Sequence, residues 1–516
     1  MTGQDADLLV TAESAAEALR HGLDERARRA APAAIAAVAE RGSVRAVLTH
    51  GHPRADEAPT TRDTVFRIAS MSKSFLAATV LSLRDRGLLD LHAPIRTYLP
   101  EVRLRHRGAD VEVTGDLLLS NRSGLGEDNA WVDRHLGASR AEIAAVFAGG
   151  VHLAAVPGTV YQYSNLGQSL LGRVVEAVTD RAVEDVIRET LLGPLGLRRT
   201  AHVSDGYAPE TLAGGFRTFD DGTTFRPEPF VGAGALGCIG SMFSTVDDIA
   251  RWMWFLGSAF TDDPLAPAVL APASRRELQQ ARTPIPVPSA MFDGRDLAGA
   301  GYGYGLFVED DRRFGRIVQH SGGLPGFSAH MRWHAASGIG VVAFGNSDEF
   351  GARRIAGAAL QQLLERTDAP SAVLHPWAET VAAAQALDAA IRSGRPAATY
   401  PFLADHVLDD IPADVLDDIP ADVRDARLEA QVQEIGGFRA DQDPFPDRVV
   451  AAATEAELRW RIAGDRGDLL VDVRLVGLPE PRVQGVSAAV VAPGQTRVEG
   501  EGAGAAERHR IILRSP

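Results

Sequence analysis

Apolar positions along this chain switch between a period near 3.6 and a period of 2, and the switches divide it into segments. Residues 13 to 30 carry apolar side chains at helical spacing and stop before Pro32, which predicts an amphipathic helix. Ala33 to Glu40 and Ser43 to His50, joined at Arg41-Gly42, predict a β-hairpin, and Thr64 to Ile68 a further strand. From Met71 onward Phe75, Val80, Leu81 and Leu83 return to helical spacing as far as Gly87. Ser70 therefore stands where a strand hands over to a helix.

Between about 88 and 310 the pattern is mainly helical, broken by loops rich in Gly and Pro, with the clearest helix at Leu166 to Thr179. Strand character returns at Arg316 to Gln319, Ala329 to His334 and Gly338 to Phe344, followed by a helix at 352 to 366. Strands at both ends with helices between them predict an α/β (α+β) architecture: one antiparallel sheet built from distant parts of the chain, flanked by helices and carrying a helical insertion. After Pro370 the character changes. A helix at 377 to 392 leads to a tandem octapeptide, Val407 to Asp414 and again Val415 to Asp422; the proline in each copy argues against a regular helix and for an exposed linker. A short helix at 423 to 434 precedes strands at Glu457 to Ile462, Leu469 to Leu475, Arg482 to Val491 and Arg508 to Leu513, a small antiparallel β-rich domain. The expected division is a first domain at 1–370, a helical and acidic linker at 371–435 and an accessory domain at 436–516.

Composition narrows the function. Hydrophobic residues at 45% and charged residues at 23% are ordinary globular usage. A formal charge of −15 without a basic block argues against nucleic acid as a partner. The one cysteine, Cys238, lacks basic neighbours and reads as an inert buried thiol. Charges run through the first thirty residues and no segment is long and apolar enough for a membrane span, so the expectation is a cytoplasmic protein with no membrane association. No His/Cys/carboxylate pattern suits a metal, and no cofactor motif is present.

Among 53 cationic side chains one is lysine, Lys73, three residues after Ser70; the other 52 are arginines, which do not release a proton at usable pH. A lysine amine can be driven neutral by burial and then take a proton from a serine. If Ser70 opens the helix, the three-residue spacing puts both side chains on one face, with Cβ atoms about 5–6 Å apart. The helix end also offers unpaired N–H groups to an oxyanion. Two more polar stretches stand out: Tyr163-Ser164-Asn165, just before a helix, and His320-Ser321-Gly322-Gly323, following a strand.

The ordered triplet Ser70-x-x-Lys73, Tyr163-Ser164-Asn165 and His320-Ser321-Gly322 resembles the serine β-lactamase and penicillin-binding-protein superfamily, most closely its class C-like branch with related esterases, DD-peptidases and D-aminopeptidases. The resemblance covers about residues 30 to 368. It implies a β-lactamase/transpeptidase-like catalytic domain, with the C-terminal domain lipocalin-like. Carried over position by position, Ser70 is the nucleophile of a covalent acyl-enzyme, Lys73 assists its deprotonation, and Tyr163 is the acylation base and the relay to the leaving group. Asn165 holds a substrate amide, and the N–H groups of Ser70 and Gly323 form the oxyanion hole. A tyrosine acting as base needs adjacent positive charge, which Lys73 or His320 would provide. His320 stands where family members usually place a lysine that binds the substrate carboxylate, which shifts the expectation from penicillins to esters, amides and thioesters. The turn Leu119 to Leu125 resembles a structural turn of the family.

The leading expectation is a serine hydrolase acting on an ester, amide or peptide, with a D-configured acyl residue among the options. A second reading is a stand-alone penicillin-binding-protein-type thioesterase that cyclises a peptidyl thioester delivered by a peptidyl carrier, with Asp128 to Arg134 and the C-terminal sheet with Arg510 and Arg514 shaping the pocket. A third, non-enzymatic reading is a sensor module that acylates once and stops.

Overall fold

The computed structural model describes residues 9–54, 58–261, 263–286, 295, 297–367, 369, 373–374, 376–396, 399–400, 402–404, 421–452, 454–476, 482–496, 498, 510–511 and 513. The chain divides into two compact units, residues 1–369 and 370–516.

The first unit is built on an eight-stranded antiparallel sheet in the order Thr283–Pro284, Leu297–Tyr302, Phe307–Asp311, Gly315–Leu324, Phe327–His334, Ile339–Gly345, Ala33–Glu40, Ser43–Gly51. The N-terminal hairpin thus closes against the last strand, with Ala34 opposite Gly345 and Glu40 opposite Ile339. Ala33–Glu40 is buried along its whole length because both faces of the sheet are covered. Ile35 and Ala37 enter the larger core, which includes Phe66, Phe75 and Trp252. Ala34, Ala36 and Val38 enter a second core with Leu19 from the helix Ala12–Gly22, and Ile355 and Leu363 from the helix Ala352–Arg366.

The helix Ser72–Asp85 runs through the larger core and is buried from Ser72 to Leu83, with its buried polar groups Ser72, Ser74 and Thr79 bonded to carbonyls of the preceding turn. The helix Val246–Gly257 holds it, with Trp252 stacked on Phe75 at 4.0 Å and its indole N–H donating to Ser74 Oγ at 3.0 Å. Its approach is pinned as well. Phe66–Arg67 pairs with Phe243–Ser244, and Ile68 N–H donates to the Met242 carbonyl. Ala69 then takes a left-handed φ of 47°, a conformation that costs a non-glycine residue about 1–2 kcal/mol. Strand Gly315–Leu324 passes directly over this turn. A Cβ on Gly322 would lie 2.1 Å from the Ile68 carbonyl oxygen, so no side chain fits there.

Several sequence expectations need correction. The helix expected over 13 to 30 is two, Ala12–Gly22 and Glu25–Arg29, because the Asp24 side chain caps the second by accepting from Ala27 N–H. The strand expected at Thr64 to Ile68 reduces to Phe66–Arg67. Strands Leu297–Tyr302 and Phe307–Asp311 lie in the region read as mainly helical. His320 to Gly323 do not follow a strand but belong to one. Only the last two residues of the tandem octapeptide, opening the helix Ala421–Glu434, fall within the described residues.

In the second unit the strands Val449–Ala451, Glu457–Ala463, Asp468–Val476 and Arg482–Val491 form an antiparallel meander. Arg510–Ile511, expected to extend such a sheet, instead pairs in parallel with Val373–Leu374. The helix Ala378–Arg392 adds Leu387 and Ile391 to a core shared with Trp460, Ile462 and Val471. Asp388, on the same helix, receives Arg448 at 2.6 and 2.8 Å and the Trp460 indole N–H at 3.1 Å. Among the described residues no helix is long and apolar enough to cross a membrane.

Two stability outcomes follow. Asp388→Ala strands the buried Arg448 guanidinium and is expected to lower unfolding free energy by about 3–5 kcal/mol, read as an earlier urea transition reported by Trp460 fluorescence. Gly322→Ala is expected to cost about 1–3 kcal/mol or more by forcing the strand off the 68–70 turn; an unchanged midpoint would mean the two segments are not in contact.

Candidate active site

Ser70 lies in the single turn Ala69–Met71 that joins the pinned strand to the buried helix, and it is half-exposed at the floor of a cleft. One turn on, the Lys73 amine donates to Ser70 Oγ at 2.8 Å and to the Ile239 carbonyl at 3.2 Å. Lys73 is fully buried. Burial lowers its pKa to about 7, against the opposing pull of Asp128, Cys238 and Asp133. Cys238 itself is buried and packs on Gly172, and burial drives its thiol up, out of reach of thiolate chemistry.

The Tyr163 loop is tied down from two sides. The turn at 119 to 125 places Asn121, itself at φ 53°, so that its carbonyl accepts from Gln162 N–H at 2.9 Å and its side-chain oxygen from Ser164 N–H at 3.2 Å. Asp128 accepts from the backbone N–H groups of Asn165 and Leu166, both at 2.8 Å, at the start of the helix Asn165–Thr179. A carboxylate at that helix end offsets the dipole and satisfies unpaired donors. The Lys73 amine sits 5.1 Å from the centre of the Tyr163 ring. Burial raises the Tyr163 phenol well above its ordinary value and a hydrogen bond with Ser70 pulls part of the way back, so the phenol stays protonated. Asn165 is nearly buried, and its amide donates to Asp128 at 3.0 Å and to the Asn129 side chain at 2.8 Å.

His320 faces the same cleft, its ring 6.2 Å from that of Tyr163. Both ring nitrogens are occupied. Nδ1 lies 2.6 Å from the Ser321 carbonyl, which can only accept, so Nδ1 carries the proton. Nε2 therefore accepts from the Tyr302 hydroxyl at 3.1 Å. Burial, helped by the Lys73 charge, lowers the His320 pKa to about 3. The imidazole is neutral, and the expectation that it lends Tyr163 a positive charge is corrected.

Ser321 Oγ meets His330 Nδ1 at 2.8 Å, Gly322 is buried against the 68–70 turn, and Gly323 is exposed to the cleft. The neighbouring strand Phe307–Asp311 pairs only as far as Phe307 with Gln319, so from His320 onward Gly315–Leu324 has a strand partner on one side. The cleft, about 530 Å³, runs along that open edge. All eight residues singled out from the sequence, Ser70, Lys73, Tyr163, Asn165, His320, Ser321, Gly322 and Gly323, come to this one place. Three contributors were not legible as such. Tyr302 and the Ile239 carbonyl come from segments with no motif, whereas Asp128 opens the stretch read as pocket-shaping.

A model of the Beta-lactamase family matches residues 15–365. The esterase EstB of Burkholderia gladioli is 30% identical over 331 residues, which span 56% of this chain and 79% of that protein; the unguisins hydrolase ungD' of Aspergillus campestris, 27% identical, is matched over 56% of this chain and 53% of its own length. An octameric penicillin-binding-protein homologue from Pyrococcus abyssi superposes with a TM-score of 0.57 at 19% identity, over 92% of this chain and 100% of that one. A D-amino acid amidase from Ochrobactrum anthropi, solved with D-phenylalanine, superposes with a TM-score of 0.54 at 23% identity, over 68% and 98%. The latter two likenesses are of fold. With the family model spanning most of the first unit and the fold shared with these structures, the chain belongs to the Beta-lactamase family.

Proposed function

We propose that this protein is a serine hydrolase that forms an acyl-enzyme at Ser70 on an ester, amide or peptide. The observation that carries the reading is the 2.8 Å contact between a fully buried Lys73 amine and Ser70 Oγ. With its pKa lowered to about 7, Lys73 is neutral in a large share of molecules near pH 7 and takes the Ser70 proton as Oγ attacks the substrate carbonyl. The backbone N–H groups of Ser70 and Gly323 receive the oxyanion. Tyr163, protonated and hydrogen-bonded to Ser70, passes a proton to the leaving group and takes it back from the water or other acceptor that resolves the acyl-enzyme, while Lys73 returns its proton to Ser70 Oγ as the acyl bond breaks. This makes Lys73 the base and Tyr163 the relay.

Asn165 is held by Asp128 and Asn129 through its amide N–H groups, which leaves its oxygen as the group to receive a substrate N–H. His320 forms a neutral wall and gives no cationic anchor, which favours ester and amide groups over a substrate held chiefly by its carboxylate at that position. The esterase relative and the amidase fold are consistent with both bond types.

Ser70→Ala is expected to abolish p-nitrophenyl ester turnover, by about 10⁴-fold or more, and to remove the acyl adduct seen by intact-protein mass spectrometry; retained turnover would remove Ser70 from the mechanism. Lys73→Arg keeps the charge but not the proton acceptor, with an expected loss of about 10²- to 10⁴-fold in kcat. Because the neutral amine is the active form, kcat/KM is expected to rise with pH and reach half its plateau near pH 7. A profile flat from pH 5 to 9 would rule out Lys73 as the base.

A further inference from the structure

We infer that His330 is a positioning residue that fixes the Ser321 hydroxyl as a hydrogen-bond donor pointing into the cleft, where it meets an acceptor oxygen of the substrate. The inference rests on the cleft around Ser70 being the reaction site. His330 and Ser321 face each other across the pairing of Gly315–Leu324 with Phe327–His334, and their side chains meet at 2.8 Å. Ser321 lines the cleft, whereas His330 is fully buried behind it.

The direction of that hydrogen bond follows from the other ring nitrogen. His330 is held neutral by burial and by the guanidinium groups of Arg332, Arg353 and Arg295, so its ring carries one proton. Nε2 is buried and has no hydrogen-bond partner among the described residues. A proton there would leave a buried N–H unpaired, and an unpaired donor is rarer and costlier in proteins than an unpaired lone pair. The positive charges nearby also favour a lone pair at Nε2. The proton therefore resides on Nδ1, which donates to Ser321 Oγ. The Ser321 proton is then not spent on His330 and is free to be given to the substrate. The opposite tautomer would consume that proton and present only lone pairs to the cleft. Arg353 also lines the cleft, so a carboxylate as well as a carbonyl oxygen suits this donor.

The tautomer is read directly from two-bond ¹⁵N–¹H correlations of the His330 ring in the full chain, which should place the proton on Nδ1; a proton on Nε2 overturns the inference. Kinetics test its use, comparing phenyl butyrate with 3-butyryloxybenzoate, which adds a carboxylate. His330→Leu and Ser321→Ala should each raise KM by about tenfold with kcat within about twofold. The double variant should be no worse than either single one, since both break the same contact. His330→Asn, whose amide can donate from nearly the same place, should recover most of the loss. A larger KM effect on the benzoate identifies the acceptor as a carboxylate, and an equal effect on both esters identifies the carbonyl. Multiplying single effects, no rescue by asparagine, or unchanged KM in both variants would each sink the proposal. If His330→Leu fails to fold, Ser321→Ala and His330→Asn still give opposite expectations. Loss of the acyl adduct in Ser70→Ala tests the underlying reading separately, since the His330 variants should keep that adduct.

Discussion

Holding the Lys73 amine out of water next to the Ser70 hydroxyl works against the charged form, and a shift from 10.5 to about 7 corresponds to several kcal/mol between the two protonation states. Much of the first unit can be understood as the structure that tolerates this cost. Below pH 7 both folded and unfolded chains carry the proton, and the fold bears the full penalty of a buried ammonium. As pH rises from 7 towards 10.5 the folded amine is already neutral, and the penalty shrinks. The Ile239 carbonyl and the more distant Asp128 carboxylate limit it at neutral pH without forming an ion pair that would lock the amine in its charged form.

His320 and His330, the histidines nearest the cleft, have been made electrically silent, and that sets the polarity of the site. His320 is tied between the Ser321 carbonyl and Tyr302, and His330 stands behind Ser321 among arginines. With neither imidazole charged, Lys73 is the one basic side chain in contact with Ser70 Oγ among the described residues. Burial of Tyr163 points the same way, because it keeps the phenol protonated and uncharged.

The sequence was most legible where chemistry is local. Ser70 and Lys73 lie within one turn, so their meeting follows from the strand-to-helix hand-over, and a lysine with no other in the chain draws notice by its uniqueness. The order of the three motifs was enough to bring Tyr163 and His320 to the same cleft. What stayed hidden depends on partners far away in sequence. Tyr302 lies in a strand whose short, glycine-rich run Leu297–Tyr302 has little strand pattern, and the direction of charge on His320 is decided by the burial around it. The Gly322 requirement is equally non-local, since it is the carbonyl of Ile68, far earlier in the chain, that leaves no room for a Cβ. The split at Asp24 was available from its capping chemistry, but the apolar period runs across it.

The pairing of Ala33–Glu40 with Ile339–Gly345 has a kinetic side. The sheet has high contact order, because its first-made strand must wait for the last. On the ribosome the N-terminal hairpin emerges with one edge unpaired and the turn Ala69–Met71 with no strand laid across it. Lys73 owes its burial to contacts made later in the chain, among them the Ile239 carbonyl and the Tyr163 ring. On the proposed reading of Ser70 and Lys73, reactivity therefore belongs to the completed first unit and not to its N-terminal part.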